Sequence, residues 1–356
     1  MKEGAGKKKR KREEDEPIGF RHKRVDTPAW LHATSGIPAW VGNSPCEGPT
    51  LEERLTAEIE DYVRFIRPTN ADRAMRDGVI AVYRRALVAA GRGLSLEVFG
   101  SCAAGMYLPG ADLDFVVLEA SEPLNPEKGR MASRLSKLAK AIYPHASELM
   151  VIKRARIPII QLTDGRTQLK IDISYQQPGG IRAAELVREM YAALPALGPL
   201  SLVLKLFLKN RNLHEYGRGG IGGFALVCWL AAFIQMHPIV FPDRYRDGRE
   251  DATLGALLMD FFHYFGSQFD YHRIGLSPSG GNPAPPPPAP ASASSCAPAP
   301  TRSNAWTFLK SEAFKNPQQP YLLCLRDPLT PENDLARGSY RIQEVSSAFH
   351  AALSAI

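Results

Sequence analysis

The sequence predicts an α+β fold in which a small mixed α/β domain, residues 91–185, is inserted into a mainly helical domain. Three observations predict it. Apolar residues recur at helical spacing before and after this segment, β-forming stretches alternate with one helix inside it, and 356 residues exceed the length of one typical domain. We therefore expect the helical domain to combine residues 51–90 with residues 186–356.

Two helices are expected ahead of the inserted domain. Thr50 and Glu53 have the spacing of a capping box, and an amphipathic apolar stripe follows them until Pro68. A second helix is expected over residues 71–90, with Gly91 as its C-terminal stop. Both helices belong to the part of the helical domain that precedes the insertion.

The inserted domain contains β-forming segments that lead to polar residues. Leu96–Phe99 is expected to be a strand that runs into a Gly-Ser turn, and Asp112–Leu118 a second strand. A helix is expected over residues 127–142. In residues 168–174 apolar and polar side chains alternate strictly, which is the period of a strand with one buried face.

Four helical segments are expected after the last strand. Pro195, Gly198 and Pro199 are expected to separate the first two, because these residues are poor at continuing a helix. The segments supply most of the helical domain. They are Arg182–Leu194, Leu200–Leu213, Ile221–Met236 and Ala252–Phe265.

The basic charge is concentrated in residues 1–50, a tail that is expected to be largely disordered. The net charge is +7, and residues 1–25 hold ten Lys and Arg against five Asp and Glu, which leaves +2 for the other 331 residues. The run Lys7–Arg12 is typical of a nuclear-localisation signal or of an arm that binds phosphates. We expect a nuclear protein whose folded part is not conspicuously basic.

Composition limits what other parts of the chain can do. Nine of the 29 prolines lie in residues 276–303, which predicts a disordered or polyproline-like insertion, with an SH3-type ligand in Pro283–Pro290 as the alternative. The five cysteines have no C-x₂-C spacing, so neither a disulfide framework nor a structural zinc is expected. No apolar run reaches the roughly 18 residues of a membrane span, so no membrane partner is expected.

Three aspartates and a Gly-Ser turn form the strongest candidate site. Side chains alternate along a strand, so Asp112 and Asp114 point the same way, while Asp172 lies on the polar face of its own strand. The turn at Gly100 and Ser101 lets backbone N–H groups and a hydroxyl approach phosphates. Carboxylates suit hard divalent cations, and a two-metal site activates a hydroxyl nucleophile and stabilises departing pyrophosphate. This ordered set predicts nucleotidyl transfer with two Mg²⁺ or Mn²⁺ ions.

Four blocks of the sequence carry a resemblance to a known family. The blocks are Phe99–Val117, Ile171–Ser174, Gly219–Phe224 and Asp327–Ser339. In this order they resemble the nuclear non-canonical poly(A) polymerases of the DNA-polymerase-β-like superfamily, the kind found in the TRAMP RNA-surveillance complex. The resemblance covers residues 50–356 apart from the proline-rich stretch. It implies a polymerase-β-like nucleotidyltransferase domain inserted in a helical central domain that carries a nucleotide recognition motif.

The resemblance assigns roles to individual residues. The three aspartates match the catalytic metal ligands, and Phe224 matches the aromatic side chain that stacks on the incoming base. Lys205 and Lys209 match phosphate-contacting positions, in agreement with a spacing that places both on one helix face. Asn333 stands at the base-reading position. The nucleotide-binding residues that the resemblance implies are Gly100, Ser101, Gly180, Lys205, Lys209, Gly223, Phe224, Asn333, Asp334 and Arg337.

The implied activity is addition of AMP units from ATP to the 3′ end of RNA, in nuclear RNA surveillance. The resemblance implies four partners: an RNA 3′ end, ATP, a zinc-knuckle RNA-binding subunit and an RNA helicase, in the nucleus or nucleolus. The alternatives are a terminal uridylyltransferase, a catalytically silent nuclear scaffold, and a small-molecule or DNA nucleotidyltransferase. Asn333 favours adenine, because an amide donates and accepts at once, whereas related uridine-adding enzymes carry His there. The three aspartates favour an active enzyme, because clustered carboxylates repel one another.

Overall fold

The computed structural model describes these parts of the chain: residues 48–248, 252–278, 306–311 and 314–356. Residues 1–47 of the predicted basic tail, with the localisation signal, and residues 279–303 of the predicted proline-rich insertion lie outside the described residues. Leu276, the first residue of the predicted insertion, belongs to a strand instead. The helices are α1 (Leu51–Ile66), α2 (Asn70–Ala90), α3 (Gly100–Ala103), α4 (Lys128–Ile142), α5 (Gly179–Ala193), α6 (Leu197–Lys209), α7 (Gly223–Val240), α8 (Leu254–His263) and α9 (Ile342–Ala355). The strands are β1 (Leu94–Phe99), β2 (Leu113–Glu119), β3 (Ala146–Ile152), β4 (Ile159–Asp164), β5 (Lys170–Tyr175), β6 (Ile274–Leu276) and β7 (Thr307–Leu309).

Five strands form one mixed sheet in the order β1-β2-β5-β4-β3. β2 and β5 run parallel, and the other neighbours are antiparallel. Asp114 on β2 lies opposite Phe99 on β1 and Asp172 on β5, and Gln161 on β4 lies opposite Asp172. The register therefore places two of the predicted aspartates side by side, next to the end of β1.

One face of this sheet is apolar and is covered by α2 and α4. Phe115, Leu162 and Ile171 are buried on that face, together with Tyr83 of α2 and Leu135 of α4. Because side chains alternate along each strand, Asp114 and Asp172 project from the opposite face. Burial of the apolar face thus fixes the register that brings the aspartates together.

The packing of α2 differs from the predicted grouping of residues 51–90. α1 contributes Ile59 to the helical core, whereas α2 packs on the sheet. Arg76 of α2 also reaches the loop before β2, where its Nη2 donates to the carbonyl oxygen of Ala111 at 2.6 Å and its guanidinium lies 4.4 Å from the Tyr107 ring centroid. We propose a two-domain division in which the boundary falls between α1 and α2.

A second core joins α1 to α5–α9. Aromatic rings of α7, α8 and α9 and the π-helical turn after α8 pack at its centre; the rings of Trp229 and Phe265 lie 4.8 Å apart. In the part of the chain that the structure describes, α7 is long and apolar enough to cross a membrane, but most of it is buried inside this core. Its apolar character is that of a core helix.

The boundary between α5 and α6 was predicted wrongly. The sequence suggested that Gly198 and Pro199 lie in the break before a helix from residue 200, but α6 begins at Leu197 and includes both in its first turn. N–H groups of the first turn have no acceptor within the helix, so proline is tolerated there. α6 also ends at Lys209, four residues before the predicted end.

Candidate active site

Three aspartates lie near the junction of β1 and β2. Asp114 and Asp172 lie side by side on adjacent parallel strands, and Asp112 directly precedes β2 in the loop that Arg76 contacts. Gly100 follows β1 with φ +67°, and the Asp114 carboxylate occupies the space that a Cβ at position 100 would need. Both conditions require glycine, so the Gly-Ser turn and the aspartates form one structural unit.

Burial and nearby negative charge disfavour the ionised form of the sheet aspartates. Burial, followed by repulsion from Asp172 and Asp112, raises the pKa of Asp114 to about 7, while Lys205 acts in the opposite direction. The pKa of Asp172 is also raised, chiefly by burial, although Gln161 Nε2 donates to its Oδ1 at 3.1 Å and lowers it. Negative charge in this cluster is therefore only partly compensated.

The donor chemistry fits hard divalent cations. Asp112, Asp114 and Asp172 offer carboxylate oxygens, the ligands that Mg²⁺ and Mn²⁺ prefer. Within residues 48–248 and the other described ranges, however, no three His, Cys, Asp or Glu side chains are drawn together closely enough to enclose a metal ion. The aspartates are thus neighbours that repel one another, without the closed arrangement of a coordination shell.

A cleft of about 610 Å³ lies beside Asp114, between the sheet and the helical core. Its walls come from α3, α5, α6, α7 and the segment after residue 326. The side chain of Phe99 packs against Gly180 so closely that a Cβ at position 180 would collide with it. The predicted nucleotide-binding residues that line the cleft are Gly100, Ser101, Gly180, Lys205, Gly223 and Phe224.

A second cavity of about 300 Å³ adjoins the first and contains both lysines of α6. Asp112, Lys205 and Lys209 line it, and Asp114 and Lys205 line both cavities. Burial, followed by repulsion from Lys209, lowers the pKa of Lys205, while Asp114 and Asp112 raise it. The arrangement places a half-buried Lys205 and an exposed Lys209 next to the carboxylates, which suits a polyanion bound between them.

The predicted base-reading residue Asn333 does not line either cavity. Its Nδ2 donates to Asp327 Oδ2 at 2.9 Å, and it is Asp327, together with Leu329 and Thr330, that lines the cleft. The Asp327 backbone N–H donates in turn to the Asn333 carbonyl oxygen at 3.0 Å. Asn333 therefore stands behind Asp327 and reaches the cleft through it.

Asp334 and Arg337 also lie away from both cavities. Asp334 Oδ1 accepts hydrogen bonds from the backbone N–H groups of Leu325 at 3.0 Å and Ala336 at 2.9 Å, so its carboxylate holds the segment together. Arg337 is exposed on the surface. Neither residue is among those that line the two cavities.

Residues that sequence reasoning left out also line the cleft. His214 lines both cavities, and burial, followed by repulsion from Lys205 and Lys209, lowers its pKa to about 4. Asp327 and Arg182 line the larger cavity. Asp327 opens the recognition block and could have been singled out there; His214 and Arg182 carried no pattern that distinguishes them from ordinary loop and helix residues.

Fold and site together define a class of protein, the polymerase-β-like nucleotidyltransferases. Residues 55–193 match the family model described as "Poly(A) RNA polymerase, mitochondrial-like, central palm domain", and residues 253–333 match "Cid1 family poly A polymerase". The solved structure described as the polymerase core of TRAMP, an RNA surveillance complex, is similar with a TM-score of 0.73 and 29% identity, over 90% of this chain and 91% of that one.

The curated relatives agree. Poly(A) RNA polymerase protein 2 of Saccharomyces cerevisiae is 32% identical over 300 residues, which is 84% of this chain and 47% of the relative. A Drosophila melanogaster relative, "Inactive non-canonical poly(A) RNA polymerase protein Trf4-2", is 28% identical over 304 residues, 84% of this chain and 67% of that protein. The chain belongs to the non-canonical poly(A) RNA polymerase family. It spans about half the length of its yeast relative.

Proposed function

We propose that the chain is a template-independent RNA 3′-end adenylyltransferase, which transfers AMP from ATP and releases pyrophosphate. The observation that carries the proposal is the pairing of Asp114 with Asp172 on adjacent parallel strands, beside a cleft that contains Lys205 and Phe224. Membership of the poly(A) polymerase family supports the choice of substrates.

Asp112, Asp114 and Asp172 are proposed to hold two divalent cations, Mg²⁺ or Mn²⁺. When bound, such ions neutralise the triphosphate and lower the pKa of the attacking hydroxyl. The chain's own residues prepare the site: Gly100 leaves room for Asp114, and Arg76 holds the loop before Asp112. No nucleophilic side chain is needed, because the nucleophile is the hydroxyl of the growing RNA.

ATP is proposed to occupy the cleft, with its phosphates near the α6 lysines and its base against Phe224. Lys205 lines both cavities and lies close enough to Asp114 for the charges to interact, so it can contact a phosphate that bridges the two. Ser101 lines both cavities as well and offers a hydroxyl donor. Gly223 begins α7 beside Phe224, and a Cβ at position 223 would lie 3.9 Å from His214 Nε2.

Base selection is proposed to depend on Asp327 and Asn333 as a pair. Asp327 lines the cleft and is oriented by two hydrogen bonds, one from the Asn333 amide at 2.9 Å and one from the Leu329 backbone N–H to Oδ1 at 2.9 Å. A carboxylate accepts hydrogen bonds and so suits the exocyclic amine of adenine. Exchange of Asn333 would therefore change base selection through the position of Asp327.

Two alternative functions stay open. A terminal uridylyltransferase would use the same three aspartates and differ in base selection. The second alternative is a catalytically silent protein, and it is supported by the similarity to the Drosophila relative that is described as inactive. The presence of Asp112, Asp114 and Asp172 argues against a silent protein, because these carboxylates repel one another.

The proposed partners and compartment are based on the similarity to TRAMP-type polymerases. We propose an RNA 3′ end as acceptor, a TRAMP-like complex as context, a zinc-knuckle RNA-binding subunit and an RNA helicase as its other members, and the nucleus as the site of action. The match to the polymerase core of TRAMP supports the complex, and the run Lys7–Arg12, outside the described residues, supports nuclear import.

The proposed function is tested with the purified chain, a labelled RNA primer, Mg²⁺ or Mn²⁺, and each NTP in a separate reaction. Extension with ATP and little or none with UTP is the expected result. Preferential extension with UTP would identify a uridylyltransferase. No extension with any NTP, with or without an RNA-binding subunit, would identify a silent protein.

A further inference from the structure

The sheet face that carries the aspartates is covered over one half and open over the other. α5 lies over β1, where Gly180 packs against Phe99, and Val116 on the same face of β2 is fully buried. Beyond β5 the face is uncovered: Gln161 on β4 is exposed, and Met150 opposite it on β3 is 58% exposed. An open strip of sheet therefore begins at β5.

Asp172 faces this open strip. Asp114 lines both cavities, whereas Asp172 lines neither. Its Oδ1 instead accepts the hydrogen bond from Gln161 on β4, at 3.1 Å. The two aspartates thus present different sides: Asp114 faces the cleft proposed for ATP, and Asp172 faces the strip over β4 and β3.

Basic and apolar residues border the strip in the loop between β3 and β4, residues 153–158. The loop contains three exposed cations and no acidic residue, and its Ile157 is 42% exposed. At about 3.3 Å per residue, the end of the loop is about 10 Å along β4 from Gln161. The cations are Lys153, Arg154 and Arg156.

We propose that the open strip and this loop form an RNA track, on which the single-stranded substrate lies as its 3′ end reaches Asp172. The inference rests on the proposed function and names the surface that its substrate uses. In an in-line displacement the nucleophile attacks from the side opposite the leaving pyrophosphate, so RNA must approach from outside the ATP cleft. Met150 and Ile157 offer apolar contact to base faces, and the loop cations offer contacts to phosphates.

The test compares two triple variants of the full chain that remove the same positive charge. The loop variant carries Lys153→Ala, Arg154→Ala and Arg156→Ala. The control variant removes three exposed cations from α2 and α4, which cover the opposite face of the sheet: Arg85→Ala, Lys137→Ala and Lys140→Ala.

The first readout is the affinity for a labelled 12-nucleotide oligoadenylate without ATP, over a series of salt concentrations. Each lost phosphate contact lowers the salt slope of single-strand binding by about 0.7, so three contacts lower it by about 2. Between 50 and 200 mM salt the wild type should therefore lose about twentyfold more affinity than the loop variant, and the control variant should behave like the wild type.

The second readout is extension kinetics. The loop variant should raise KM for the 12-nucleotide primer while KM for ATP stays within about twofold, because uniform substrate binding is lost and the nucleotide site is untouched. A dinucleotide primer, too short to reach the loop, should be extended equally by wild type and variant. Should the loop variant melt early, Met150→Asp provides an independent test, since it places a negative charge on the track and should weaken RNA binding.

Equal salt slopes for the wild type and the loop variant would overturn the proposal. So would a loop variant that binds RNA normally but loses association with an RNA-binding subunit, because the strip would then be a protein-docking surface. Since the binding readout needs no ATP, it distinguishes failure of the track from failure of the proposed adenylyltransferase activity.

Discussion

The aspartates of the sheet have other carboxylates as neighbours, whereas the aspartates of the recognition segment accept hydrogen bonds from N–H groups. On the sheet, Asp114 and Asp172 lie side by side on adjacent strands, and burial together with neighbouring negative charge raises both pKa values. In the recognition segment burial also raises the pKa of Asp334, but two backbone N–H groups donate to its carboxylate, and Asp327 accepts from Leu329 and Asn333. We infer that the sheet aspartates reduce stability and serve chemistry, whereas Asp334 serves stability.

The largest expected effect is the loss of activity in Asp172→Asn. Removal of one carboxylate from the site should lower kcat on the order of a thousandfold, equivalent to about 4 kcal/mol of transition-state stabilisation, while the melting temperature should not fall. Primer extension and thermal melting measure the two quantities. Lys170→Ala, an exposed change two residues earlier on the same face of β5, is the control. Retained activity in Asp172→Asn would remove it from the catalytic site.

Gly100→Ala should cause the second-largest loss of activity, because it strains the backbone and displaces Asp114. We expect a loss of activity on the order of a hundredfold and about 1 to 3 kcal/mol of stability. Gly105→Ala separates the two causes: Gly105 also has a positive φ, of +76°, but no atom lies within 4 Å of its added Cβ. Equal losses of activity in the two variants would mean that the contact with Asp114 has no role.

Asp334→Ala should lower stability more than activity. Two buried backbone N–H groups lose their acceptor, which should reduce the free energy of unfolding by about 2 kcal/mol. Denaturant unfolding measures this, and kcat/KM for ATP below the melting transition should stay within about threefold. The exposed neighbour Glu332→Ala is the control. A selective increase of KM for ATP at unchanged stability would instead make Asp334 a nucleotide contact.

Asn333→His should produce a change that is confined to base choice. Loss of the hydrogen bond to Asp327 releases the carboxylate that lines the cleft, and a disturbed polar contact of this kind costs about 1 to 3 kcal/mol. The ratio of kcat/KM for ATP to that for UTP should fall roughly ten- to a hundredfold. Steady-state kinetics with both nucleotides measure it. An unchanged ratio would show that base selection lies elsewhere.

Local patterns in the sequence predicted the strand that carries Asp172 and the start of α1. Strict alternation in residues 168–174 placed Asp172 on the polar face of a strand, which β5 confirms, and the capping box at Thr50 and Glu53 is present with both hydrogen bonds. These features depend on neighbours in the chain. The sequence also predicted a strand that begins at Asp112; Asp114 lies on β2, but Asp112 lies in the loop directly before it.

Features that depend on distant contacts were not predictable. The packing of α2 on the sheet and the contact of Arg76 with Ala111 join residues 35 apart in sequence. Asn333 lies behind Asp327 because hydrogen bonds within an irregular segment set both side chains, and no periodicity describes such a segment. Arg182 and His214 line the cleft for tertiary reasons alone.

The stability of Asp114→Asn as a function of pH, without divalent cations, tests the central claim most directly. The folded-state pKa of Asp114, about 7, is above that of the unfolded chain, so its stabilising contribution is complete below pH 4 and is lost as pH rises through 7. Relative to the wild type, Asp114→Asn should therefore gain stability between pH 4 and pH 8, by up to about 4 kcal/mol. In a separate assay with Mg²⁺, primer extension by the variant should be abolished. A variant that is less stable than the wild type by the same margin at every pH would contradict the account.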